Sequence, residues 1–419
     1  MTLPYFWAMR FWSYPIILFP IIFCEASLAQ SKLESIYKKG IEINAYTDST
    51  KTKAIFQLKP TFRFQSRFET AGDAAGNEKW ESNFLIRRAR LKFDGFVLTP
   101  NLMYKVELAF SPNDLRANND FKETGGVTKV LLDAVVKWRF QKTLTLWVGQ
   151  TKLPGNRARV ISSQSAQLVD RSEVNSIFNI DRDIGVQLHG KFNAGTVIIK
   201  PIFSFEKGEG RNIFIKNIGG FSYTGKLELL PLGEFTNKGD YFESDLEREP
   251  KPKLALAASA NFNQGASREN QTGVFLLDTA GEYMTNNLLT VFADAVFKYK
   301  GFSLYAEYAY KRILLKSGQS LSVSDSTIVS ESGRTYETGQ GISIQAGYLF
   351  KHNIELAARY TTVIPDWEKS FTGSTEYTLG LSKYIVGHKL KVQTDITLID
   401  EVNTTDYELR YRLQMEFAF

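Results

Sequence analysis

The sequence predicts an all-β protein, a 16-stranded antiparallel transmembrane β-barrel, and three observations carry the prediction. Short segments alternate apolar and polar side chains along much of the chain. The connections between them alternate between long and short. After residue 30 no stretch approaches the ~18 apolar residues of a membrane helix, and the mean hydropathy is −0.21. Side chains on a strand point alternately to its two faces, so each segment presents one apolar and one polar face. In lipid such segments satisfy their backbone groups only by closing into a ring.

The alternation is clearest in the last stretch. Tyr407, Leu409, Tyr411, Leu413, Met415, Phe417 and Phe419 share one face; Glu408, Arg410, Arg412, Gln414, Glu416 and Ala418 share the other. In the first strand, 55–69, Phe56, Leu58, Phe62, Phe64 and Phe68 oppose Lys59, Arg63 and Arg67. In 84–97, Leu85, Ala89, Leu91, Phe93 and Val97 oppose Arg88, Arg90, Lys92 and Asp94. Arg87 falls on the apolar side, as a residue near a headgroup boundary would. Further strands are read at 102–110, 129–140, 144–150, 183–192, 196–206, 221–230, 253–263, 289–299, 302–311, 341–350, 354–362, 375–385, 388–399 and 406–419.

An even strand count puts both chain ends on the periplasmic side, with long loops outside and short turns inside. The long connections are 70–82, 111–128, 151–182, 207–219, 264–288, 312–340 and 364–374, with 400–405 the shortest of them. One periplasmic connection breaks the rule. Pro231–Pro252 is long and acidic, which implies a small strand pair or a slip of register. A soluble sandwich of so many strands would need two domains and a linker, and none is visible.

Residues 1–29 read as a signal peptide, with an apolar core at 11–23 and small residues at Ser27-Leu28-Ala29; Met9 is an alternative start. Cys24, the one cysteine, lies inside it, so the mature chain forms no disulfide. Residues 30–54 form a periplasmic lead-in, and 55–419 the barrel.

The formal charge of +6 is modest and no nucleic-acid-binding motif is present. The three histidines, His189, His352 and His388, form no metal-ligand pattern, and no cofactor is expected. His189 sits on a lumen face beside Gln187. The competing class is a barrel enzyme, a lipase or protease, and a third is a closed structural or adhesive barrel.

Several pieces resemble the phosphate-selective porin O/P family of Bacteroides–Flavobacterium-type bacteria. They are Trp147-Val148-Gly149-Gln150-Thr151-Lys152-Leu153-Pro154-Gly155, Val169-Asp170-Arg171-Ser172 and Asp181-Arg182-Asp183-Ile184-Gly185-Val186-Gln187-Leu188-His189-Gly190. Ile86-Arg87-Arg88-Ala89-Arg90-Leu91 and Tyr104-Lys105-Val106-Glu107 resemble it too. The resemblance implies an outer-membrane porin, commonly a homotrimer, with the third outer loop folded into the lumen; because the residues show no hydrolytic machinery, no enzymatic activity is expected. Phe419 would then be the signal read by the barrel-assembly machinery. By strand count the third loop is 151–182, carrying Lys152, Arg157, Arg159, Arg171 and Arg182.

The predicted lumen face carries Lys59, Arg63 and Arg67; Arg88, Arg90 and Lys92; Lys137 and Arg139; Lys389 and Lys391; Arg410 and Arg412. Closure brings the last two strands beside the first two, so most of these residues form one basic wall. A basic lumen concentrates anions, and guanidinium forks suit oxyanions. The expected function is passive passage of small hydrophilic solutes, biased to anions such as phosphate or polyphosphate.

Overall fold

The computed structural model describes Tyr37 and residues 40–47, 53–74, 80–115, 122–125, 129–270, 273–315, 328–367, 370–402, 404 and 407–419. The expected signal peptide, 1–29, lies outside the described residues. The strands are β1 (Ile43–Tyr46), β2 (Ala54–Asp73), β3 (Glu81–Val97), β4 (Thr99–Ala109), β5 (Leu131–Trp138), β6 (Leu144–Lys152), β7 (Arg182–Gly190), β8 (Phe192–Ala194) and β9 (Val197–Glu206). They continue as β10 (Ser222–Leu230), β11 (Lys253–Ala266), β12 (Asn286–Tyr299), β13 (Phe302–Ile313), β14 (Gly339–Phe350), β15 (Ile354–Pro365), β16 (Ser374–Val386), β17 (Leu390–Glu401) and β18 (Glu408–Ala418).

Sequential strands pair antiparallel, and β18 pairs with β2 to close the ring. β7 and β8 both pair with β9 and form one strand broken at Lys191. β1 pairs with the start of β2, next to where β18 ends. The ring therefore has 16 strands. Every predicted strand is present, with ends within four residues of the expected ones. Large apolar side chains such as Phe203, Leu256, Ile344, Tyr377 and Leu379 stand exposed on the outer face, where lipid covers them.

One phase error lies in β3. Gln65 of β2 pairs with Arg88, but Ser66 pairs with Ile86, so Arg87 is an extra residue. This bulge reverses the alternation. Beyond it Phe84 is 80% exposed and Ile86 48%, so even positions now face lipid. Leu85 and Arg87 therefore turn inward, against the expectation for both.

The lumen is filled from both ends. Loop 153–181 includes α1 (Arg157–Val160) and α2 (Glu173–Phe178). Ser172 caps α2 by accepting from the Asn175 amide at 3.2 Å. Leu153, Val174, Ile177 and Phe178 of the loop bury against Phe292, Ala309 and Val363 of the β12, β13 and β15 wall. Glycines make room for it: a Cβ at Gly347 would lie 2.0 Å from Gln167 Nε2, and one at Gly380 would lie 2.4 Å from Leu168 Cδ2.

The anomalous segment 231–252 is neither a strand pair nor a register slip. β10 and β11 keep their expected positions, and the segment turns into the barrel from the periplasmic side. Lys298 Nζ donates to the carbonyls of Gly239 (2.8 Å) and Ser244 (2.7 Å). Ser244 Oγ donates to Glu355 (2.9 Å), and the Gly301 amide donates to Asp245 (2.7 Å). Its acidity is explained here: Asp240, Glu243 and Asp245 are buried and accept from Lys200, Gln167 and Gly301 of the wall, loop and turn, and the buried Glu249 accepts from Thr236 within the segment. The two intrusions meet where the Gln167 amide donates to Glu243 Oε2 at 2.9 Å and the Glu243 amide donates to the Ser165 carbonyl at 3.2 Å.

Candidate functional site

The inner wall has two chemically different halves. On β9, β10, β12, β13 and β15 each strand offers one cation and one carboxylate: Lys200 and Glu206, Lys226 and Glu228, Lys298 and Asp294, Lys311 and Glu307, Arg359 and Glu355. These charges nearly cancel, and the two intrusions pack over much of this side. The wall from β2 to β7 is strongly basic and borders the space that is left.

That space is a chain of cavities sharing walls. Outermost, a cavity of ≈ 920 Å³ lies between Trp80, Glu81, Arg67, Arg410 and Arg412. The next, ≈ 270 Å³, adds Arg87, Arg88, Arg159, Arg171 and Glu173. These four arginines also border a third cavity of ≈ 260 Å³, with Arg90, Arg182, Arg211 and Arg268 against only Asp114 and Asp181. Arg90, Lys152 and Arg182 separate it from an inner cavity of ≈ 440 Å³ lined by Lys92, Lys105, Lys137, Trp147 and His189.

The expected residues divide into three groups. Arg63, Arg67, Arg88, Arg90, Lys92, Lys137, Lys152, Arg159, Arg171, Arg182, Arg410 and Arg412 border this passage. Arg157 and Lys391 are fully buried anchors: Lys391 Nζ donates to the Ala166 carbonyl at 2.7 Å, holding the loop rather than meeting solute. Lys59, Arg139 and Lys389 lie outside the passage. Lys59 is paired with Glu42 at 2.9 Å, Arg139 follows the end of β5, and Lys389 lies in the turn before β17. Lys152 and Arg182 are strand residues paired across β6 and β7, so the loop proper is 153–181.

Residues missed by the sequence reading are Arg87, Lys105, Lys129, Lys226, Arg211 and Arg268. Alternation on β4, where Tyr104 and Val106 face out, was enough to find Lys105. Arg211 lies in a connection without periodicity, and no signal marked it.

Most of the basic groups are held in place by carboxylates. Arg63 donates to Glu416 (2.7 Å), Arg412 to Asp395 (2.7 Å), Arg90 to Asp114 (2.8 Å) and Arg182 to Asp133 (3.1 Å). Asp170 at the loop tip accepts from Arg67 at 2.7 Å, with Arg87 at 3.8 Å. Burial opposes its charge, yet Arg67, Arg87 and Arg88 hold its carboxyl well below the ordinary range. Others lack such a partner. Arg88 donates to Gln65 Oε1 at 2.8 Å with its Nε unpartnered, and Arg171 donates to the Ala158 and Ile161 carbonyls, both at 2.7 Å. Burial, then Arg159 beside it, lowers Arg171 only to about 9, leaving it cationic at neutral pH.

Glu173 stands in the same passage. Burial and then Glu376 raise its carboxyl to about 7, against the pull of Arg410 and Arg359. It is neutral below that pH and gains a negative charge as pH rises through it. Anion permeability relative to cations should therefore fall between about pH 6 and 8. Glu173→Gln should flatten that step; reversal potentials across the range read it, and a step that survives the substitution assigns it to another group.

His189 is occupied structurally. Its Nε2 lies 3.0 Å from Gln187 Oε1, and its ring stacks on Trp147 at 4.0 Å. His388 packs against Phe242 and Tyr384.

Closed ring, lipid-facing girdle and charged inner passage define an outer-membrane porin, a β-barrel that crosses the membrane with its strands. Within that class, residues 58–202 match the model of the family described as phosphate-selective porin O and P. The matched stretch runs from β2 to β9 and includes loop 153–181, so it coincides with the basic wall. An uncharacterized protein of Aquifex aeolicus (strain VF5) is 22% identical over 426 residues, 96% of this chain and 98% of its own. Solved structures with the same fold include the anion-selective porin from Comamonas acidovorans: 10% identity, TM-score 0.53, 87% of this chain and 100% of that one. The loop L8 deletion mutant of OmpT, an outer membrane protein of Vibrio cholerae, gives 10% identity and TM-score 0.54 over 87% and 100%. The outer membrane channel DcaP of Acinetobacter baumannii gives 11% and 0.51 over 90% and 100%.

Proposed function

We propose that the chain passes small hydrophilic anions, phosphate among them, by diffusion along the β2–β7 wall, with no cofactor and no reaction. The observation that carries this is the third cavity, where eight arginines and two lysines face two carboxylates. Arginine forks bind oxyanions in pairs of hydrogen bonds, and several weak stations in series allow release as well as entry. The name of the matched family and the anion selectivity stated for the Comamonas acidovorans porin point the same way. A trimeric assembly belongs to this reading, as one structure of the Vibrio cholerae protein is described as a trimer form.

Arg88→Gln and Arg171→Gln remove cations without stripping a carboxylate of its partner. At about 6 Å in water-like surroundings each charge attracts an anion and repels a cation by about 0.7 kcal/mol, so the double variant should lower anion permeability about tenfold and the anion-to-cation ratio about a hundredfold. The measurement is reversal potential in a potassium chloride gradient, with and without phosphate. Cation-selective current in the native protein, indifferent to millimolar phosphate, overturns the reading.

The two-sided filling of the lumen favours one other reading, a closed barrel whose long loops bind a partner. Absence of any conductance after bilayer insertion would select it.

A further inference from the structure

The two cavities on either side of the Arg90–Lys152–Arg182 belt differ in chemistry. The outer one has Leu132 as its single apolar wall residue. The inner one shares the cationic belt but is faced on its other sides by Trp147, Leu153, Pro154, Val160 and Ile202. Leu153 and Ile202 are buried, and packing explains them. Trp147 and Val160 remain partly accessible, one from β6 and the other from loop 153–181. Trp147 is held rigidly: the His189 ring stacks on it at 4.0 Å, and Lys137 Nζ sits 3.6 Å from its centre.

Nearby cations are available. Lys152 Nζ donates only to the Val160 and Ile161 carbonyls, at 3.1 and 3.2 Å, and among the described residues neither Lys152 nor Lys137 forms an ion pair. A bare inorganic anion gains from the cations and nothing from the apolar side. A solute with an anionic end and an apolar end gains from both, because contact with Trp147 and Val160 removes its apolar surface from water.

We propose that the inner cavity is a binding station for small amphipathic organic anions: a phosphate monoester or carboxylate carrying a flat or short apolar group. The anionic end meets Lys152 and Lys137, and the apolar end lies against Trp147 and Val160. This rests on the anion-passage reading above and adds a solute class to it.

The test uses the full-length protein in planar bilayers, with chloride current titrated by phenyl phosphate and, separately, by inorganic phosphate. The expected half-blocking concentration of phenyl phosphate is about tenfold lower than that of phosphate. Trp147→Ala and Val160→Ser should each bring the ratio toward one; should Trp147→Ala fail to fold, Val160→Ser decides alone. A native ratio near one, no block by either compound, or a ratio unchanged by the substitutions overturns the proposal. Reversal potentials recorded on the same channels separate the failures. Cation selectivity removes both readings, whereas anion selectivity with equal block by the two phosphates removes only this one.

Discussion

Arg157→Ala is expected to release loop 153–181 from the barrel wall, giving larger and noisier single-channel currents and a lower unfolding temperature. Arg157 is fully buried. Its Nε donates to Asp294 of β12 at 2.5 Å, its Nη2 lies 3.6 Å from Glu228 of β10, and its Nη1 donates to the Asp240 carbonyl at 3.2 Å. Its guanidinium also sits 5.2 Å from the centre of the Tyr241 ring. One side chain thus joins the outer loop, two wall strands and the periplasmic segment. Burial disfavours its charge, but Asp294 and Glu228 outweigh burial and raise its pKa above the ordinary value. Truncation leaves the buried Asp294 without a counter-ion, whereas Glu228 keeps Lys226 at 3.1 Å, and breaking a buried pair from one side costs about 3–5 kcal/mol. Arg157→Lys keeps the charge but not the fork, and should fall between native and Arg157→Ala. Native current noise and an unshifted unfolding temperature in Arg157→Ala would show that the apolar packing of the loop suffices by itself.

The barrel was readable because its physics is local. Alternation of period two, interrupted by polar turns, is written into each strand, and closure follows from the need to satisfy backbone groups in lipid. Arg63, Arg88 and Arg90 could be placed from phase alone, whereas Arg182, read as a loop residue, is the first residue of β7. Phase fails at a bulge: the insertion at Arg87 reverses the face of everything before it in β3, and nothing in Leu-Ile-Arg-Arg-Ala-Arg marks which arginine is the extra one. The passage itself was less legible. Its position depends on which half of the lumen the two intrusions cover, and that is fixed by contacts between residues far apart in sequence, such as Gln167 with Glu355 at 2.6 Å. Arg157 and Lys391 show the same limit. From sequence each is a basic residue that could meet solute, and only the fold shows that each is spent on holding the loop. The periplasmic segment 231–252 was visible as a break in the loop pattern, and its acidity was the clue to an inward position.

Replacing 232–250 by a short glycine turn is expected to raise conductance and lower anion preference together. The segment fills lumen against the wall that Lys200, Lys298 and Glu355 line, so its removal opens a second route beside the β2–β7 passage. That route would run along strands carrying paired opposite charges, with Lys298 and Lys200 set against Glu355, Glu228 and Asp294, and so would have no net basic field. Ions would enter it regardless of sign, diluting the selectivity of the original passage. Conductance should rise on the order of twofold as open cross-section is added, while the reversal potential moves toward zero. The single substitution Glu243→Ala is a milder version. It removes the acceptor that the Gln167 amide and Gln345 Nε2 share, at 2.9 and 3.1 Å, and so loosens the contact between the two intrusions, which keep the Glu243 amide on Ser165 and Arg157 on the Asp240 carbonyl. It should give brief excursions to the larger conductance rather than a permanent one. Two results would refute this account: a deletion variant that folds, yet keeps native conductance, or one whose conductance rises while its anion preference stays unchanged. The first would mean that outer loops alone limit flow, and the second that the wall behind the segment is as basic as the one in front.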